Sequence, residues 1–229
     1  AQEAGGLKLQ PDSREFHLVR AKLRAQQGDA ADAAAFFKEA LREGRYADEG
    51  AARYGYVVAL MRMRDLDNAR KEWQRLRERG GMHPMYDTLG AQLHFAAGEP
   101  AAAVDVLRQS LKRFPYSDTL RLAYAEALQQ AGQHRDALEV LQALRRERPG
   151  EARLYQMLAK SYASLGQRTE QHRALAEFYY LQGSLPGAIE QLQLAQAAKD
   201  ADFYTLSAVD ARLRELRAKQ LQEMQARER

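Results

Sequence analysis

Histidine is the side chain best suited to proton transfer or metal ligation near neutral pH, and this chain has five, His17, His83, His94, His134 and His172. They are scattered singly. None is followed by glutamate, none belongs to an H-E-x-x-H run, and no paired-carboxylate spacing appears that would serve a metal or a general base. Each reads as a surface or helix-packing histidine. The absence of cysteine removes disulfide, zinc-thiolate and thiol-nucleophile chemistry, and suits either a reducing cytosol or a periplasm where stray thiols are a hazard. No phosphate-cradling loop is expected, because the turn glycines stand between amphipathic helices rather than after a strand, and Gly5-Gly6 reads as linker. The expectation is a non-enzymatic chain with no catalytic residue, no cofactor and no metal.

What remains is recognition, and the elements that would position it are marked by a ladder. Gly28, Arg64, Gly98, Gly132 and Gly166 recur at steps of 34 to 36 residues, each followed five residues later by Ala33, Ala69, Ala103, Ala137 and Gln171. A period near 34 is the signature of tetratricopeptide (TPR) repeats, two-helix units that cannot bury an apolar face without a neighbour. With the ladder residue at position 15, small residues fall at position 8 (Ala21, Ala91, Ala125 and Ala159, with Val57 the exception) and let paired helices approach. Bulky residues fall at position 24 (Phe37, Trp73, Leu107, Leu141 and Leu175) and are expected to fill the seam against the next repeat. The fold class is therefore all-α: a right-handed α-solenoid of TPR helix-turn-helix repeats with a C-terminal capping helix.

Punctuation predicts helices over 14–27, 30–43, 49–63, 66–79, 84–97, 100–113, 117–130, 134–147, 151–164, 168–182 and 186–199. Pro84, Pro100 and Pro186 suit first helical turns, Pro115 and Pro149 follow helix ends, Ser117 is an N-cap, and Asp12 with Glu15 forms a capping box. Residues 1–11 are expected to be a linker or disordered tail, 12–200 an array of five to six repeats, and 201–229 a capping helix and tail. Gly183 follows Gly166 by only 17 residues. This half-period join near 166–183 would make 168–182 serve as the second helix of one unit and the first of the next. The last stretch, with Phe203, Leu206, Val209, Leu213, Leu216 and Leu221 at helical spacing, would cover the final apolar face.

A TPR array offers a concave groove lined by its first helices at positions 2, 5, 9, 12 and 13. Here those are Leu18, Lys22 and Gln26, then Tyr54, Val58, Met61 and Arg62, then Met85, Thr88, Gln92 and Phe95. Leu122, Glu126 and Gln129 follow, with Arg153, Gln156 and Lys160 last. Aromatics and methionine among amides and a few cations suit an extended or helical peptide. Only Lys22 fits the carboxylate clamp with which some TPR domains hold acidic chaperone tails, so that partner is not expected.

The pI of about 9.3 looks basic. Yet 35 Lys and Arg are interspersed with 31 Asp and Glu, which argues against a nucleic-acid surface, as does Glu126 among uncharged amides in the groove. No apolar run approaches the roughly 20 residues of a bilayer span, so no direct membrane span is expected. The first residue is Ala rather than Met, which is read as a processed protein or an excised domain.

Three stretches carry a narrower resemblance: DSREFHLVRAKLRAQQGD (12–29), AEFYYLQGSLPGAIEQLQLAQ (176–196) and YTLSAVDARLRELR (204–217). The chain beyond residue 11 resembles the C-terminal TPR region of periplasmic zinc metalloproteases of the BepA type, which help outer-membrane β-barrel proteins assemble. The resemblance implies a periplasmic, non-catalytic half whose partners are its own protease domain and the β-barrel assembly components or unfolded outer-membrane substrates. The family's zinc motif would lie upstream of Ala1, so no functional residue is carried over. The alternative is a free-standing TPR scaffold for secretion, pilus or polysaccharide export.

Overall fold

A computed structural model describes residues 13–227, and every regular element among them is an α-helix. In chain order these are α1 (Arg14–Gln26), α2 (Ala30–Glu43), α3 (Glu49–Arg62), α4 (Leu66–Arg79), α5 (Pro84–Ala96) and α6 (Pro100–Arg113). There follow α7 (Asp118–Gln130), α8 (His134–Glu147), α9 (Ala152–Ser164), α10 (Arg168–Leu181), α11 (Leu185–Ala197) and α12 (Phe203–Arg227). For the first eleven, the ends read from the sequence are met within two residues. The expected linker at 1–11 lies outside the described residues.

Short polar side chains start half of these helices by accepting the orphan N–H groups of the first turn. Asp29 accepts from Ala31 at 2.7 Å, Asp48 from Ala51 at 2.7 Å and Asp202 from Thr205 at 2.7 Å. Ser117 accepts from Leu120 as anticipated. The cap of α1 is Ser13, which accepts from Phe16 at 3.1 Å. It sits one residue past the expected Asp12; the capping box expected there lies outside the described residues, and Glu15 stands 3.3 Å from His83. Pro84, Pro100 and Pro186 all occupy first turns, where a missing N–H costs nothing.

Each ladder residue adopts the left-handed conformation between paired helices: Gly28 (φ 61°), Arg64 (61°), Gly98 (75°), Gly132 (75°) and Gly166 (73°). From the second on, the next residue's N–H returns to a carbonyl five residues back, as in Gln167 to Tyr162 at 3.0 Å. Gly183 (φ 79°) builds the same turn after α10, with Ser184 N–H to Tyr179 O at 2.9 Å. From α10 onward the tight turn thus follows where the looser connection had come before.

The chain divides into two compact units, with the boundary in α7 after Leu120. In the first, α3 packs on α1, α2 and α4, α4 on α5, and α5 on α6. Its core gathers Leu18, Phe37, Val57, Leu60, Trp73, Leu76, Tyr86, Leu89 and Leu93. The position-24 residues enter sockets made by helix-interior glycines: a Cβ on Gly55 would strike the Phe37 ring, and one on Gly90 the Trp73 ring. The indole is pinned by Nε1–H donating to Tyr86 O at 2.8 Å. Arg53, buried, ties α3 to α4 by donating to Glu72 at 2.5 Å, and also donates to Glu49 on its own helix at 2.7 Å.

In the second unit α9 packs on α8 and α10, α10 on α11, and α11 on α12. One apolar cluster centres on Leu141, Leu144, Leu154 and Leu158, another on Ala188, Leu192, Val209, Leu213 and Leu216. Phe203 and Leu221, expected on the buried stripe of α12, are 78% and 56% exposed; only its middle turns meet α11. The N-terminus of α10 is capped from a distance, since Asp200 accepts from the Arg168 and Thr169 amides at 2.5 and 3.0 Å. These bonds, led by that of the Thr169 hydroxyl, hold the Asp200 carboxyl below its usual range.

Candidate protein-interaction surfaces

Three of the histidines are engaged in packing and capping. His83 caps α5 through Nδ1, His94 bonds Glu99 at 2.7 Å and stands edge-on to Trp73, and His172 bonds Gln191 at 2.9 Å. Among the described residues no three His, Cys, Asp or Glu groups converge as metal ligands.

In the first unit the predicted groove residues separate into core, anchors and surface. Leu18 and Tyr54 are 0% and 3% exposed. They belong to the core rather than to a binding face, because their register turns them inward against α3 and α5 neighbours. Burial pushes the Tyr54 phenol up to about 12. Arg62 is exposed but occupied, its guanidinium donating to Ala25 O at 2.7 Å and Gly28 O at 2.9 Å. It satisfies carbonyls left open at the end of α1. Val58, Met61 and Met85 are half-buried against the core. Lys22 and Phe95 are half-buried and Gln92 is exposed. The accessible part of this surface is therefore the half-buried apolar row with Gln92 beside it.

In the second unit five predicted residues come together. Glu126, Gln129, Arg153, Gln156 and Lys160, on α7 and α9, line one open depression of about 410 Å³, joined by Gln130 and Met157. Gln129 is buried, so it forms floor rather than a ligand-facing wall, and its Nε2 donates to Met157 O at 2.6 Å and Ser161 Oγ at 2.7 Å. Its amide thus ties α7 to α9. Arg153 and Glu126 form an ion pair across the opening. Gln130, Gln156 and Lys160 are exposed. Gln130 shares the register of Gln26 and Arg62 and was detectable from that alone. Met157, one residue beyond a groove position, gave no such signal.

This arrangement can hold a polypeptide. Amide side chains donate and accept at once, matching a backbone's alternating C=O and N–H groups, while buried Met157 forms part of the floor. No helix among the described residues is long and apolar enough to cross a membrane.

The repeat geometry and these surfaces define a protein-interaction scaffold, and comparison agrees: residues 24–93 and 94–161 match the tetratricopeptide repeat model. The chain belongs to the tetratricopeptide repeat family. It is 28% identical over 181 residues to the beta-barrel assembly-enhancing protease of Escherichia coli K12, covering 79% of this chain and 37% of that protein. The Yersinia pestis protein of the same name is 26% identical over 217 residues, covering 93% and 45%. The chain thus spans less than half the length of these relatives. Among solved structures, YrrB, a TPR protein with an unusual peptide-binding site, superposes with a TM-score of 0.55 at 17% identity over 80% of this chain and 93% of that one. A TPR protein from Parabacteroides merdae gives 0.54 at 13% identity over 88% and 83%. At such identities these two show the shared fold.

Proposed function

We propose that the chain is a non-catalytic protein-binding domain of a periplasmic metalloprotease and chaperone, holding β-barrel assembly components or unfolded outer-membrane substrates. The observation that carries this reading is the depression on α7 and α9, where five residues chosen from repeat register alone line a single cavity. Its Glu126–Arg153 pair fixes the rim, and the exposed amides of Gln130 and Gln156 are left for an incoming backbone. Sequence similarity to the beta-barrel assembly-enhancing proteases over most of the chain supports the class of partner. The row of Val58, Met61 and Met85 beside Gln92 adds a second, more apolar surface for the same kind of client.

The test places a photo-crosslinking amino acid at Gln156, at Gln92, and at Glu139 on α8 as control, in cells making the native protein. The first two positions are expected to yield adducts with assembly components or unassembled β-barrel proteins. Adducts from Glu139 alone would move binding off this surface. The reading frame upstream of the Ala1 codon separates the two parent architectures: an H-E-x-x-H helix behind a signal peptide fits the protease, whereas a signal peptide or lipobox directly before Ala1 fits a free-standing scaffold.

A further inference from the structure

In the first unit α1 and α2 lie chiefly on α3 rather than on each other, which leaves an open cleft of about 600 Å³ between them. That volume falls in the range of ligand-holding clefts. Its walls carry Leu23, Phe36 and Tyr46, which are 54%, 44% and 39% exposed. These are not groove residues: Arg20 and Arg24 project from the opposite side of α1 to Lys22, with Leu23 on the flank beside them.

The charge around this apolar cleft is one-sided. Many arginines elsewhere in the chain are held by carboxylates, as in Arg70–Glu99, Arg113–Asp87 and Arg212–Glu177. Arg20 and Arg24 at the cleft have no carboxylate partner among the described residues. Their guanidinium groups lie instead over rings, Arg24 at 3.6 Å from the Phe36 centroid and Arg20 at 5.9 Å from that of Phe16. A guanidinium stacked on a ring is held in orientation by its face, while its in-plane N–H donors stay free for a carboxylate. The one acid lining the cleft, Asp48, is already engaged by Arg14 at 3.3 Å and by the Ala51 amide at 2.7 Å. Arg45, on the same rim, pairs with Glu43.

We infer that this cleft is a second docking site, distinct from the groove, for an acidic segment of a partner protein that also carries an apolar side chain. Its carboxylates bind Arg20 and Arg24, and its apolar residue rests between Leu23, Phe36 and Tyr46. The interaction is charge-assisted at an exposed rim, so it weakens with ionic strength.

The experiment measures fluorescence anisotropy of the full chain with a labelled peptide, Asp-Glu-Leu-Phe-Glu-Asp, against its Lys-Lys-Leu-Phe-Lys-Lys counterpart. The acidic peptide is expected to bind about tenfold more tightly than the basic one, and to lose about fivefold between 50 and 300 mM salt. Arg24→Glu and Phe36→Ser, both on exposed positions, are each expected to weaken binding about tenfold while circular dichroism and melting stay native. Gln156→Ala, in the groove, leaves this binding unchanged. Equal affinity for the two peptides, no binding at all, or variants that bind like the parent would each overturn the proposal. So would sedimentation velocity showing that a second copy of the chain fills the cleft and that Arg24→Glu dissociates it.

Discussion

At Gly90 two residue-scale effects oppose each other. Alanine is the better helix former by about 1 kcal/mol, so propensity alone makes Gly90→Ala stabilising for α5. The added methyl, however, would fall within the Trp73 ring, which cannot swing away without breaking its bond to Tyr86 O. Overpacking of this kind costs about 1–3 kcal/mol and the lost buried hydrogen bond about 1 more. The net expectation is a loss of about 2 kcal/mol in urea unfolding followed by the fluorescence of Trp73, the single tryptophan. A variant as stable as the parent would show that the indole is not pinned. The bulk of Phe37 and Trp73 was legible in the repeat frame, but their sockets were not, because a helix-interior glycine leaves no mark in an amphipathic pattern. Position 5 teaches a related lesson. It sits at the edge between core and groove, and residue type decides the side: Leu18 and Tyr54 turn inward, whereas Thr88 is half-buried and Gln156 exposed.

At the scale of elements, the turns were the most legible part of the chain, since a left-handed residue between two helices selects glycine. Arg64 breaks that rule in sequence and keeps it in structure, with φ at 61° and Asp65 N–H returning to Leu60 O at 3.0 Å. A side chain in this conformation costs about 1–2 kcal/mol, offset in part by the greater unfolded-state freedom of glycine. Arg64→Gly is therefore expected to stabilise the chain by about 1 kcal/mol, read as a raised melting temperature. Gly98→Ala is the matched inverse: a Cβ there meets nothing within 4 Å, so its expected loss of about 1 kcal/mol is backbone strain alone. If both changes left the melt unmoved, strain at these turns would not be limiting. The cap of α10 was illegible for the opposite reason, because Asp200 lies 32 residues from the amide it caps. Local motifs reveal local caps only.

For the whole molecule, repeat architecture implies that damage stays near where it is made, since each helix pair draws its stability from its neighbours. The second unit ends on α12, whose Val209, Leu213 and Leu216 close over Leu185, Ala188 and Leu192 of α11. Arg212 adds a two-pronged bond to Glu177 on α10, both contacts at 2.8 Å. Burying the three apolar side chains contributes about 5–8 kcal/mol by transfer, which is comparable with the stability of a small domain. Deleting residues 201–229 is expected to lower the midpoint of the second unit's unfolding, followed by hydrogen exchange of α9 to α11. Trp73, buried in the core of the first unit, reports on that unit alone, and its fluorescence transition is expected to hold its midpoint. A Trp73 transition that falls in step would mean that the two units unfold as one, and that the interaction surfaces on α3 and α5 depend on α12 for their order. Retained order in the first unit would instead leave the cleft beside Arg24 intact, so the truncated chain would still bind the acidic peptide with its original affinity.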